Sequence, residues 1–74
     1  MSDVTTFLEE MTEILEAGAP VTAEHTFGDE WDSLAIVSTI ALVDEIFGVF
    51  LEGKDLAGCT TVQSVLDLVD KQTT

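Results

Sequence analysis

The sequence predicts an all-α domain: a four-helix bundle of three long helices and one short third helix, with a long first loop. Three observations carry that expectation. Apolar residues recur at three- and four-residue spacing in three separate stretches, one helix face each time. The only proline, Pro20, falls in the single long stretch without such a period. One cysteine in 74 residues leaves no intramolecular disulfide to staple a small chain, so helix packing has to supply the stability. Residues 1–74 read as one domain.

Val4, Phe7, Leu8, Met11, Ile14 and Leu15 place helix one over Val4 to Ala17. Thr6 with Glu9 offers a capping box, Asp3 or Ser2 could cap a turn earlier, and Gly18 is the expected left-handed stop. Glu9, Glu10, Glu13 and Glu16 fill the opposite, solvated face. Ala19 to Glu30 is the long loop, pinned to the core by Val21 and Phe27, and loops of this length in small domains are commonly functional.

Helix two is predicted from Leu34 to Phe47, with Ile36, Ile40, Val43 and Phe47 on its core face, Val37 and Leu42 on its flanks and Gly48 as its stop. It is apolar around much of its circumference and is expected to be the central helix. Between Gly53 and Gly58, Lys54 to Ala57 make a short helical turn, with Leu51, Leu56 and Cys59 buried. Thr60 with Gln63 offers a capping box for a last helix carrying Val62, Val65, Leu66 and Val69 and ending near Asp70, which leaves 71–74 as a frayed tail.

Fifteen acidic residues against two basic ones give a net charge of −13. That field repels nucleic acid and anionic lipid and attracts proteins that present Lys and Arg. With 46% of residues apolar and a positive mean hydropathy, the chain can still build a core. The longest uncharged run, Ser33 to Val43, is too short to span a bilayer, and no secretory signal is visible. A cytoplasmic monomer without membrane or nucleic-acid contacts is expected.

Catalysis fails on inventory. His25 is the sole histidine, and a Ser33–His25–Asp triad needs an oxyanion hole and a substrate pocket that so small a core can hardly provide. One His and one Cys cannot build a structural zinc site. The carboxylates from Asp29 to Asp32 lack the central Gly and twelfth-position Glu of a calcium loop. No enzyme activity and no metal site are expected, and Cys59 reads as a buried structural thiol. Ser33 stands at a helix start; local chemistry alone makes it a cap, while an exposed hydroxyl beside free backbone N–H groups also suits attachment of a phosphate.

At Asp32-Ser33-Leu34-x-x-Val37, followed by Phe47 and by Thr60-Thr61-Val62-Gln63, the chain resembles the acyl carrier proteins. The likeness covers nearly the whole length. It implies that Ser33 carries 4′-phosphopantetheine and that Asp32 assists its modification. It also implies that Leu34, Val37 and Ala41 form the surface read by partner enzymes, that Asp44 and Glu45 meet their basic residues, and that Glu52 and Asp55 extend the acidic surface. The implied partners are a phosphopantetheinyl transferase, a loading ligase or acyltransferase, and downstream synthases with basic docking surfaces.

Fatty-acid carriers usually place acidic residues early in this helix, where this chain has Ala35 and Ser38. With Trp31 before the motif, it looks more like the specialised stand-alone bacterial carriers of surface-glycan, lipid or secondary-metabolite biosynthesis. An aminoacyl or peptidyl load is the alternative within the class. An unmodified acidic helical adaptor is the alternative outside it.

Overall fold

The computed structural model describes residues 3–73, all-α apart from one isolated backbone bridge. Its helices are α1 (Asp3–Ile14), α2 (Ser33–Phe47), α3 (Gly53–Ala57) and α4 (Val62–Thr73). One core joins all four. Phe7 and Met11 of α1, Val43 of α2, Leu56 of α3, and Val62 and Val65 of α4 are all fully buried in it. α2 packs against both α1 and α3, and Phe7 meets Phe47 with ring centroids 5.9 Å apart.

α1 stops sooner than expected. Glu16, not Gly18, takes the left-handed conformation, at φ 53°. The Glu16 N–H donates to Glu13 O at 3.1 Å and the Ala17 N–H to Thr12 O at 3.0 Å, the paired bonds of a Schellman motif. The motif leaves Leu15 buried and frees residues 17–20 to turn away, at the cost of a strained glutamate, on the order of 1 kcal/mol. Thr6 lies inside α1 and is no cap; the Ser2 alternative lies outside the described residues. At the other end of α2 the expectation holds. Gly48 has φ 69° and its N–H donates to Asp44 O at 3.0 Å.

The core face of α2 is rotated from the predicted one. Ala35, Thr39, Leu42 and Val43 are buried, whereas Ile36, Ile40 and Phe47 are half-buried and Val37 is exposed. The displacement has a specific cause. Thr39 can enter the core because its hydroxyl donates to Ala35 O at 2.8 Å and lies 3.6 Å from the Met11 sulfur, which removes the penalty of an unpaired buried hydroxyl. Ile36 and Ile40 then face α3. A β-carbon on Gly53 would lie 3.9 Å from Ile36 and 4.0 Å from Ile40, ordinary packing distance.

The long loop is fixed by hydrogen bonds as much as by apolar anchors. Thr12 Oγ1 donates to Leu8 O and accepts from the Val21 N–H at 3.0 Å, which holds buried Val21 against α1. The loop also supplies the N-terminus of α4. The Val62 N–H donates to His25 O at 3.1 Å and the Gln63 N–H to Ala23 O at 2.8 Å, while the Phe27 N–H donates to Thr60 O at 2.8 Å. A third α4 amide, that of Ser64, donates to Thr61 Oγ1 at 3.1 Å. Thr61 rather than Thr60 is therefore the cap, since it is the Thr61 hydroxyl that accepts this amide. α4 also runs through 71–73 instead of ending at Asp70.

These burials order the expected costs of truncation. Phe7→Ala, in a fully buried site, should cost about 3–5 kcal/mol. Phe47→Ala, at a half-buried ring, should cost roughly half of that. Urea denaturation of the two variants checks the order.

Candidate functional site

Asp32, not Ser33, caps α2. Its backbone is extended, at φ −103° and ψ −177°, and its carboxylate accepts the Ala35 N–H at 2.9 Å. Ser33 is pushed one position on, to the first residue of the helix, where it is exposed. The capping duty that local chemistry offers to Ser33 is thus discharged by its neighbour. The Ala35 amide is bonded to the Asp32 side chain and the Ile36 amide to the Asp32 carbonyl. The amides of the first turn give this end of the helix its partial positive charge, beside the Ser33 hydroxyl.

What delivers Asp32 to this position is the aromatic segment before it. Trp31 stacks on Phe27, with ring centroids 3.9 Å apart and planes 6° from parallel. Its indole N–H donates to Leu56 O, on α3, at 2.9 Å. Trp31 thereby ties the end of the loop to α3, two residues before Ser33. Glu30 closes the preceding turn, both carboxylate oxygens accepting the Gly28 N–H at 2.9 and 3.0 Å. His25 packs edge-on against Phe27, and its Nε2 lies 3.8 Å from Glu30.

Ser33, Leu34, Val37, Ala41, Asp44 and Glu45 are all exposed along α2. Successive helical residues turn by about 100°, which divides this set into two edges. Ser33, Val37 and Asp44 adjoin the Ile36–Ile40 flank that α3 covers. Leu34, Ala41 and Glu45 turn toward α1, where Glu45 acts on Glu10. Glu52 and Asp55 are exposed at α3, on the Ser33 edge. The resemblance treats Asp44 and Glu45 as one acidic pair; the helix points them to different neighbours. Periodicity could have found that division, had the core face of α2 been placed on Thr39.

Beside Ser33 lies a concavity of about 140 Å³ lined by Glu16, Glu30, Asp32, Leu34, Ala35 and Ser38, among others. Sequence reasoning did not single out Glu16 or Ser38 for it; the left-handed turn at Glu16 places the one, and the rotated face of α2 the other. A larger depression, about 590 Å³, lies at the opposite end of α2 near Phe47 and Leu66, roughly 20 Å along the helix from Ser33. Among the described residues no group of three His, Cys, Asp or Glu could hold a metal ion. No helix there is long and apolar enough to cross a membrane. Cys59 is buried, and that burial, with the Asp55 and Asp67 carboxylates nearby, raises its thiol pKa. It stays a protonated, poorly nucleophilic thiol.

Comparison with protein-family models, with curated proteins and with solved structures returns no match.

Two measurements check the electrostatics and the cap. Glu13, one turn away, together with Glu45 and Glu9, raises the pKa of Glu10, so the folded state holds its proton to higher pH than the unfolded chain does. Stability therefore falls as pH rises through that window. Glu10→Gln should raise the melting temperature at pH 7, with the gain vanishing in acid and shrinking in high salt. Asp32→Ala should cost about 1 kcal/mol by loss of the cap, while Ser33→Ala should change stability by less than about 0.5 kcal/mol; chemical denaturation separates the two.

Proposed function

We propose that this chain is an acyl carrier protein that holds acyl intermediates as thioesters on a 4′-phosphopantetheine arm attached to Ser33. The single observation that carries the reading is the placement of Ser33: an exposed hydroxyl at the first residue of the central helix, freed from capping by Asp32. In this reading the four helices form the bundle of that family, and the chain works in the cytoplasm as a monomer.

The residues present fit the group. A phosphodiester on Ser33 stands at the positive end of α2, where backbone N–H groups and the helix dipole favour an anion. When bound, the arm supplies the thiol that carries the acyl group. The chain itself performs no catalysis; it positions the attachment point and presents a surface. Asp32 fixes the start of the helix and so the direction in which the Ser33 hydroxyl points. Trp31, held between Phe27 and the Leu56 carbonyl, keeps the loop from moving that start.

Recognition falls to the exposed apolar residues Leu34, Val37 and Ala41 and to the carboxylates Asp44, Glu45, Glu52 and Asp55. These suit partners with basic docking surfaces: a phosphopantetheinyl transferase first, then a loading ligase or transferase and the synthases that consume the load. With a net charge of −13, long-range attraction speeds encounter and weakens with salt. The uncharged Ala35 and half-buried Ser38 early in α2 favour a dedicated pathway over general fatty-acid synthesis.

Incubation with coenzyme A, Mg²⁺ and a broad-specificity phosphopantetheinyl transferase should add one phosphopantetheinyl group to the wild-type chain, read as an intact-mass gain, and none to Ser33→Ala. A folded wild-type chain that gains no mass would favour the unmodified acidic adaptor.

A further inference from the structure

Four large hydrophobic residues are exposed among the described residues, and three of them lie on α2 or on the segment that runs back beside it: Leu34 at 75%, Val37 at 61% and Phe50 at 70%. Singly exposed apolar residues need no explanation, and Leu34 and Val37 already belong to the two exposed edges of α2, which leaves Phe50. Phe50 belongs to no motif and no capping arrangement. Its exposure follows from the backbone.

After Gly48 the chain reverses, and by Gly53 it lies against Ile36 and Ile40, so residues 49–52 run back along the C-terminal half of α2. The segment alternates: Val49 and Leu51 are buried, Phe50 and Glu52 exposed, the period-two pattern of extended chain. Glu52 itself is extended, at φ −92° and ψ 148°. Slipping the pattern by one residue to bury Phe50 would expose Val49 and Leu51. The ring is therefore held outward, 70% exposed, in the segment that leads into α3, and α3 begins against Ile36 and Ile40 of α2.

Its surroundings are acidic. Glu52, two residues on in the same extended segment, is exposed like the ring, and Asp55 in the α3 that follows is exposed too. The one cation in the segment, Lys54, is 3.6 Å from the Glu52 carboxylate. A second copy of a chain with net charge −13 is repelled from such a surface, and a basic partner is drawn to it.

We propose that Phe50 is the apolar anchor of the docking surface, and that the enzyme acting on Ser33 takes the ring into an apolar pocket ringed by Lys and Arg. The proposal rests on the carrier reading and names the partner chemistry of that same surface. Phe50 lies beside the C-terminal half of α2, so a partner that reaches both Phe50 and Ser33 spans most of that helix. The carboxylates set the rate of encounter; the ring sets how long the complex lasts.

The test uses the broad-specificity phosphopantetheinyl transferase as probe, with initial rates measured over a range of carrier concentration. Phe50→Ala should raise KM about tenfold while leaving kcat, the final extent of loading and the melting temperature unchanged. Phe50→Leu should retain most of the wild-type KM. Glu52→Gln should instead flatten the salt dependence of KM. A Phe50→Ala chain loaded with wild-type KM overturns the anchor and leaves the carrier reading standing, whereas a wild-type chain that is never loaded overturns the carrier reading and the anchor with it. A wild-type dimer in sedimentation that Phe50→Ala converts to monomer also overturns the proposal, by assigning the ring to a contact between copies.

Discussion

The constraint on which the rest depends is the set of hydrogen bonds between the long loop and the start of α4. The first amides of a helix have no partner within it, and a loop crossing a small domain has carbonyls to satisfy. Here each solves the other's problem: His25 and Ala23 carbonyls accept the Val62 and Gln63 amides, and the Thr60 carbonyl accepts the Phe27 amide. Fixing residues 23–27 in this way sets Phe27 where Trp31 can stack on it. Trp31, bonded to Leu56, then delivers Asp32 to the head of α2. A chain of local bonds thus runs from α4 to the position of one exposed serine.

Much of the fold is legible in the residues, because helix periodicity survives any local rearrangement. Val62, Val65 and Val69 mark α4 and Phe7, Met11 and Leu15 mark α1, and all are buried. The termini are less legible, since several neighbouring residues have the same capping chemistry. Asp32 and Ser33 both can cap, as can Thr60 and Thr61, and in each pair the choice is made by tertiary contacts. At the end of α1 the structure passes over Gly18 for Glu16, because reversal at Glu16 is what puts Val21 within reach of Thr12. Periodicity also misassigned the core face of α2. Thr39 counts as polar in any pattern, yet its bond to Ala35 O makes it a core residue.

The candidate site was legible as a tripeptide but not as a geometry. Nothing in Asp-Ser-Leu alone tells which of its two polar residues caps the helix, and only the residue relieved of capping has a free hydroxyl. The surface around it is divided as well. Asp44 adjoins the α3 flank with Glu52 and Asp55, while Glu45 joins Glu10 near α1. Nothing in the sequence marks Phe50 as exposed, because the stretch from Val49 to Cys59 has no sustained apolar period to assign its faces. The turn at Gly48 decides which of Val49, Phe50 and Leu51 faces out.

Stability and recognition draw on the same carboxylates with opposite sign. The crowding that raises the pKa of Glu10 weakens the fold at neutral pH, and the same field draws in a basic partner. The central claim is that this scaffold presents one modified serine. Tandem mass spectrometry of the chain isolated from the cells that make it tests this most directly, by locating any phosphopantetheine within the peptide that spans Trp31 to Val43. The account predicts the group on Ser33; finding it on Ser38 or Thr39, or finding the peptide unmodified throughout, would contradict it.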